Sequence, residues 1–219
     1  VLAVASAAFV LFGMALVYAQ AGALDFARAA ALPAAGPDRV VTLIGVALIV
    51  VGFGFKLALV PFHLWTPGVY QGAPVPVTAS VATVSKGAML ALLLRFFAGI
   101  ALAAERSVFL AFAIVAFASM AAGNLLALLQ NHVKRILAYS SIAHLGYLIV
   151  AFLASGTLGA AAVTFYLVTY FITTIGAFGV ITVLSDGGEG DLDRLEDFRG
   201  LFARRPWLAA VMAGMLLSL

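Results

Sequence analysis

Three titratable side chains stand where an apolar chain has least use for them. Lys56 lies inside "GFGFKLALVPFHLWTP" (52–67), Lys86 inside "VATVSKGAML" (81–90) and His144 inside "YSSIAHLGY" (139–147). A desolvated lysine or histidine can gain and lose a proton, whereas an arginine keeps its charge. These residue types in such surroundings point to the movement of a proton or ion rather than to bond-making chemistry. A Lys at the bilayer centre costs about 2.5–3.5 kcal/mol on insertion scales, so such residues usually face a bundle interior or a water-filled cavity.

Pro61, five residues after Lys56, sharpens that reading. It has no N–H and its ring crowds the carbonyl of Leu57, which predicts a kink or break there. Broken helices at membrane depth are tolerated where the freed groups meet protein or water, and they mark ion sites in many transporters. On a continuous helix His63 would lie about 20° short of two full turns beyond Lys56, on the same face; the break leaves that pairing open. Each residue also has a plainer reading. Lys56 is about 10 Å of helix rise from its helix end and its stem could snorkel. His144 could be an interhelical hydrogen-bonding residue and nothing more. Lys86, near a helix centre, is hardest to explain that way. Arg95, Lys134 and Arg135 stand near helix ends and read as interfacial anchors. Thr164, Thr169, Thr173 and Thr174 could bond carbonyls of their own helix or line a hydrated path.

The elements that must position these residues follow from composition. The chain has 219 residues, 65% hydrophobic and 10% charged, with a mean hydropathy of +1.17. Soluble domains carry about 45–50% apolar and about 25% charged residues, so this chain reads as an integral membrane protein. About 20 apolar residues cross the hydrocarbon core, and seven candidate helices appear, at 1–20, 40–63 (continuing to about 71), 77–100, 107–129, 134–154, 158–184 and from near 205. Between 185 and 204 lies a polar segment in which Leu192, Leu195, Phe198 and Leu201 or Phe202 recur at amphipathic helical spacing. Arg28, Arg39, Arg95 and Arg106 fall on one face of the membrane. Lys134, Arg135, Arg194, Arg199, Arg204 and Arg205 fall on the other, which the positive-inside rule makes cytoplasmic. That places the turn after His63 and the 185–204 loop on the cytoplasmic side. The chain begins and stops within apolar stretches without an initiator Met and reads as a portion of a longer protein.

Several functions are excluded. With no cysteine, the chain offers no iron–sulfur ligation, thiolate zinc site, disulfide or thiol catalysis. His63, His132 and His144 are scattered without metal-ligand spacing, and no dinucleotide or P-loop glycine motif occurs. The net charge of +3 comes from basic residues spread singly between spans, which is a topology signal and not a nucleic-acid surface.

"FKLALVPFHLWTPGVYQGAPVPVTASVATVSKGAML" (55–90) resembles the signature of the antiporter-like membrane subunits of proton-pumping NADH:quinone oxidoreductase, complex I. The wording "FHLWTP-VYQGAP" is similar to that of subunit N, the bacterial counterpart of mitochondrial NADH dehydrogenase subunit 2. "NHVKRILAYSSIAHLGYLIVAF" (131–152) resembles the second family signature, and "DLDRLEDFRGLFARRPWLAAVMAGMLLSL" the approach to a later broken helix. The resemblance implies an all-α, polytopic transmembrane bundle with inverted repeats and a discontinuous helix, here about seven helices of a fourteen-helix subunit. Residues 1–219 would form one transmembrane domain, with 1–100 ending the first repeat and 105–219 beginning the second.

By the same resemblance, Lys56 matches the lysine of the broken seventh helix and Lys86 that of the eighth. His144 matches the axial histidine of the tenth, His63 the histidine just past the break at Pro61. The partner glutamate of the fifth helix and the lysine of the twelfth would lie outside the chain. One departure is Gly68, where the family usually has Asp. The implied function is proton translocation coupled to quinone reduction elsewhere in the complex, in the bacterial inner membrane and beside other membrane-arm subunits, including a neighbouring antiporter-like one. NADH, FMN, iron–sulfur clusters and quinone would be bound by other subunits, leaving this chain no cofactor of its own. The alternatives are a Mrp-type sodium/proton antiporter or ion-translocating membrane hydrogenase subunit, and a structural subunit whose polar residues only pack helices.

Overall fold

The computed structural model describes residues 2–22, 37–97, 106–154, 156–185 and 192–218. Arg28 and the connecting segments expected at 32–36, 104–105 and 186–191 lie outside them. The described residues are mostly helical, joined by turns, with no strand among them beyond one isolated bridge between His132 and Arg194. The helices are α1 (Leu2–Ala21), α2 (Pro37–Leu57), α3 (Trp65–Gly72), α4 (Val75–Phe97), α5 (Arg106–Ala127), α6 (Val133–Leu153) and α7 (Gly156–Ser185). A 3₁₀ turn (Leu195–Phe198), the single turn α8 (Leu201–Arg204) and α9 (Pro206–Ser218) follow. Among the described residues, six of these helices are long and apolar enough to cross a membrane. Their outward faces suit hydrocarbon, for Leu11, Phe12, Ile114, Phe117, Leu158 and Phe165 all stand largely exposed.

Helix pairs approach closely where small residues meet, as they must when lipid supplies no hydrophobic drive for association. Helices α1 and α2 touch backbone to backbone at Gly13 and Gly45, where a Cβ on Gly13 would come 2.5 Å from the Gly45 carbonyl. Ser6 Oγ donates to the Gly52 carbonyl at 2.9 Å in the same seam. Helices α5 and α6 meet likewise at Gly146, whose added Cβ would lie 2.8 Å from the Ala116 carbonyl. Phe97, Phe112 and Phe152 fill one end of the bundle with centroids 5.4–5.9 Å apart.

The break falls where Pro61 and the Leu57 carbonyl predict it, and it is a full interruption of the helix. Helix α2 ends at Leu57 rather than running to His63. Ala58 adopts a left-handed φ of 60°, and the chain turns through Leu64 before α3 begins. The opened backbone is paired by protein. Leu59 N–H donates to the Gly54 carbonyl at 2.9 Å, Trp65 Nε1 donates to the Phe55 carbonyl at 3.0 Å, and Val60 N–H donates to Ser119 Oγ of α5 at 3.0 Å. Pro61 itself is on the exposed side of the turn.

The polar segment after α7 also differs from expectation. Its hydrophobic spacing is realised as a 3₁₀ turn and one α-turn, with Leu201 buried but Leu192, Leu195 and Phe202 exposed. The segment is sewn to the start of α6, since Val133 N–H donates to the Asp193 carbonyl at 2.6 Å and Leu195 N–H to the Asn131 carbonyl at 3.0 Å. His132 Nδ1 lies 3.2 Å from Asp193 Oδ2, close enough to pair when protonated.

Candidate functional site

Lys56 occupies the last turn of α2. Because the helix stops one residue later, the ammonium stands at a helix C-terminus, where unpaired carbonyls and the macrodipole favour a cation by roughly 0.3–1 kcal/mol, more when partly buried. The side chain is half-buried, and no hydrogen bond or ion pair holds it among the described residues. His63 lies beyond the turn and is buried at 8% exposure. It therefore does not share a continuous helix face with Lys56.

Lys86 is buried at 1% exposure. Helix α4 reaches it through a π-helical turn, Val81–Ser85, which hands over to α-helix at Lys86; such turns occur often at functional sites. Lys86 Nζ donates to Ser141 Oγ of α6 at 2.6 Å and lies 5.3 Å from the centroid of the Tyr70 ring, a cation–π distance. Ser141 Oγ is also 2.6 Å from Tyr170 OH of α7, and Tyr170 OH donates back to the Ala82 carbonyl in the π-turn at 3.1 Å. The lysine thus heads a closed loop of hydroxyls tying α4, α6 and α7 together.

One turn along α6 from Ser141, His144 is buried at 5% exposure. Its Nδ1 is hydrogen-bonded to Tyr166 OH at 2.6 Å, and its ring lies 5.7 Å from that of Tyr170. Ser141 and His144 are three residues apart and Tyr166 and Tyr170 four, so each pair shares one helix face. The result is a ladder, Lys86–Ser141–Tyr170 on one rung and His144–Tyr166 on the next. Lys86 and His144 are brought into one cluster, whereas Lys56 stands outside it. Sequence reasoning missed Ser141, Tyr70, Tyr166 and Tyr170. The i, i+3 and i, i+4 spacings were the available signal, since tyrosines and serines in apolar helices attract no notice singly.

Lys134 departs from its expected role. It is not a lipid-facing anchor but is buried at 1% exposure, with Nζ donating to the Ala73 carbonyl at the end of α3 at 3.3 Å. Arg135 beside it donates to Gln71 Oε1 at 3.3 Å and to Gln130 Oε1 at 2.7 Å. These cations fasten the "YQGA" turn to α6, and the macrodipole of α3 favours them there. Thr164, Thr169 and Thr173 bond carbonyls of their own helix at 2.8, 3.1 and 3.0 Å. Gly68 is exposed, and an added Cβ would meet nothing within 4 Å.

Comparison with known proteins places this arrangement. Residues 1–219 match the family model described as NADH:quinone oxidoreductase/Mrp antiporter, TM. A NADH-quinone oxidoreductase subunit N from Nitrosospira multiformis is 55% identical over 233 residues, covering 100% of this chain and 46% of the relative. The subunit N from Ectopseudomonas mendocina is 52% identical over 220 residues, covering 100% and 44%. The chain thus spans less than half the length of these curated relatives. A chain of respiratory complex I from Thermus thermophilus superposes with a TM-score of 0.77 at 40% identity, over 98% of this chain and 46% of that one. A chain of the Mrp complex from Dietzia sp. DQ12-45-1b has the same fold, with a TM-score of 0.85 at 22% identity over 98% of this chain and 39% of that one. With the whole of its length matched, the chain belongs to the NADH:quinone oxidoreductase/Mrp antiporter transmembrane family.

Proposed function

We propose that the chain is the central part of a subunit N of proton-translocating NADH:quinone oxidoreductase, and that it carries protons on a lysine–histidine relay. The observation that carries this reading is the setting of Lys86, an ammonium group enclosed in a membrane helix whose direct partner is a neutral hydroxyl. A purely structural site would gain more from an apolar residue of equal volume than from a buried cation. A proton donor and acceptor needs this arrangement.

In this scheme Lys56 takes up a proton at the break and holds it while a carboxylate partner on another helix is near, since a nearby opposite charge favours the protonated form. When that partner withdraws, the proton passes through water by way of His63 to Lys86. The hydroxyls of Ser141 and Tyr170 then orient the ammonium toward His144, which hands the proton toward the second half of the subunit. Pro61 keeps α2 from running on, so that Lys56 stays at a helix end. Residues 1–100 would close the first inverted repeat and 105–219 open the second. Quinone reduction would supply the energy from elsewhere, with NADH, FMN, iron–sulfur clusters and quinone held by other subunits. The partners are neighbouring membrane-arm subunits, one of them antiporter-like, in a bacterial inner membrane. The identities of 52–55% to subunits N favour this over an Mrp-type antiporter, whose 22% likeness concerns fold.

The test is Lys86→Met in the full-length subunit within the assembled complex, comparing protons pumped with NADH oxidised. The expected result is normal assembly with a reduced pumping ratio. Unchanged pumping at full assembly would remove Lys86 from the relay.

A further inference from the structure

Thr66 and Tyr70 of α3, with His63 in the turn that leads into it, form a run of three buried polar side chains. His63, Thr66 and Tyr70 are 8%, 0% and 0% exposed. Thr66 and Tyr70, four residues apart, share one face of α3, and Thr66 N–H donates to the His63 carbonyl at 3.0 Å, which sets His63 one turn before them. His63 Nδ1 and Thr66 Oγ1 are buried with no hydrogen-bond partner among the described residues, and Tyr70 OH is buried beside Ser141 and Tyr170 without a bond of standard geometry to either. Buried polar groups are nearly always paired, by protein or by ordered water, and an unpaired hydroxyl costs about 1–3 kcal/mol. One such atom is an oddity, but a run of them along successive turns forms a track. Its first member adjoins the break after Lys56, and its last sits with its ring 5.3 Å below Lys86 Nζ.

We propose that the run His63–Thr66–Tyr70, leading from the break into α3, is the conducting surface between the helix break and Lys86, with Thr66 a relay residue whose hydroxyl holds a water in the chain. This rests on the lysine relay proposed above. The track is about 10 Å long, roughly three or four hydrogen-bond lengths, so waters bridging the three side chains span it. A bridging water needs two to four polar partners. The imidazole at one end, the phenol at the other and the Thr66 hydroxyl midway supply them at intervals of about one helical turn. A hydroxyl both donates and accepts, so it passes a proton along such a chain without becoming charged. Thr66 differs in this from Thr164, Thr169 and Thr173, whose hydroxyls are tied to their own helix. The Lys134 and Arg135 contacts to Ala73 and Gln71 fix the far end of α3 and hence the height of Tyr70 beneath Lys86.

The experiment places Thr66→Val, Thr66→Ser, Tyr70→Phe and Lys86→Met in the full-length subunit of the assembled complex and measures proton pumping against NADH oxidation in proteoliposomes. Thr66→Val exchanges an unpartnered hydroxyl for a methyl of the same shape, so a merely structural Thr66 predicts equal or higher thermal stability and unchanged pumping. The expected result is stability no lower than wild type with pumping reduced several-fold, and recovery in Thr66→Ser. Tyr70→Phe keeps the ring under Lys86 and is expected to slow pumping in the same direction, which preserves the test should Thr66→Val fail to assemble. Wild-type pumping in both Thr66→Val and Tyr70→Phe, alongside loss in Lys86→Met, would overturn this path and leave the lysine relay standing. Wild-type pumping in Lys86→Met would overturn the relay itself and this path with it.

Discussion

Ser141 joins more of the buried site than any charged residue does, because its single oxygen meets both Lys86 Nζ and Tyr170 OH at 2.6 Å. Ser141→Ala leaves a buried ammonium without its hydroxyl partner, and hydrogen bonds to charged groups contribute about 1.5–3 kcal/mol. We expect the variant to lose stability on that order, read as a lower thermal midpoint of the complex, together with slower pumping. Tyr170→Phe keeps the ring beside His144 and removes the hydroxyl's contact with Ser141 Oγ and its bond to the Ala82 carbonyl. Its expected loss is about 1–2 kcal/mol for two neutral bonds, and an effect larger than that of Ser141→Ala would show that Tyr170, rather than Ser141, anchors the loop. The residues legible in the sequence were those whose charge is costly in lipid, Lys56, Lys86 and His144. Ser141, Tyr166 and Tyr170 were not, since hydroxyls are common in membrane helices and only their partners across helices give them meaning. Lys134 was misjudged because its place near a helix end is the same for an anchor and for a buried clamp.

At the level of the element, the break after α2 is held open by α5. The Val60 N–H would have no partner without Ser119 Oγ, so Ser119→Ala strands a partly buried donor at about 1–3 kcal/mol. The expected outcome is faster amide exchange at residues 58–64 with α2 and α3 themselves unchanged, while exchange as slow as in wild type would mean that Ser119 is dispensable. The proline in the sequence announced a discontinuity correctly. Its start at Leu57 was legible too, since Pro61 crowds that carbonyl, but the unwinding of 58–64 was not, because a proline alone is compatible with a mere kink. The left-handed turn at Ala58 and the partners Ser119 and Trp65 come from tertiary structure. The helical spans were legible because apolar length alone decides them, within a few residues at each end. The 192–204 segment was not, since its apolar spacing is equally compatible with a helix and with the short turns that dock it on α6.

For the whole molecule, the end of α3, the start of α6 and the segment from Leu192 to Arg205 lie together at one end of the bundle, joined through Ala73, Gln71, Asp193 and Asn131. By the excess of Lys and Arg, we propose that this end faces the cytoplasm. The chain contains no cysteine, so single cysteines at Gly68 and Phe202, both exposed, report the sidedness directly. Both are expected to react with a membrane-impermeant maleimide in inverted vesicles and to be protected in intact spheroplasts; labelling from opposite sides would contradict the arrangement. Across this bundle the proposed work is the movement of a proton that Lys86 must be able to release. Lys86→Arg keeps the positive charge but cannot give up its proton at working pH. The decisive measurement is the ratio of protons pumped to NADH oxidised in the assembled complex carrying Lys86→Arg. The expected result is a ratio reduced as far as in Lys86→Met, and a ratio equal to that of the wild type would contradict a proton-carrying role for this residue.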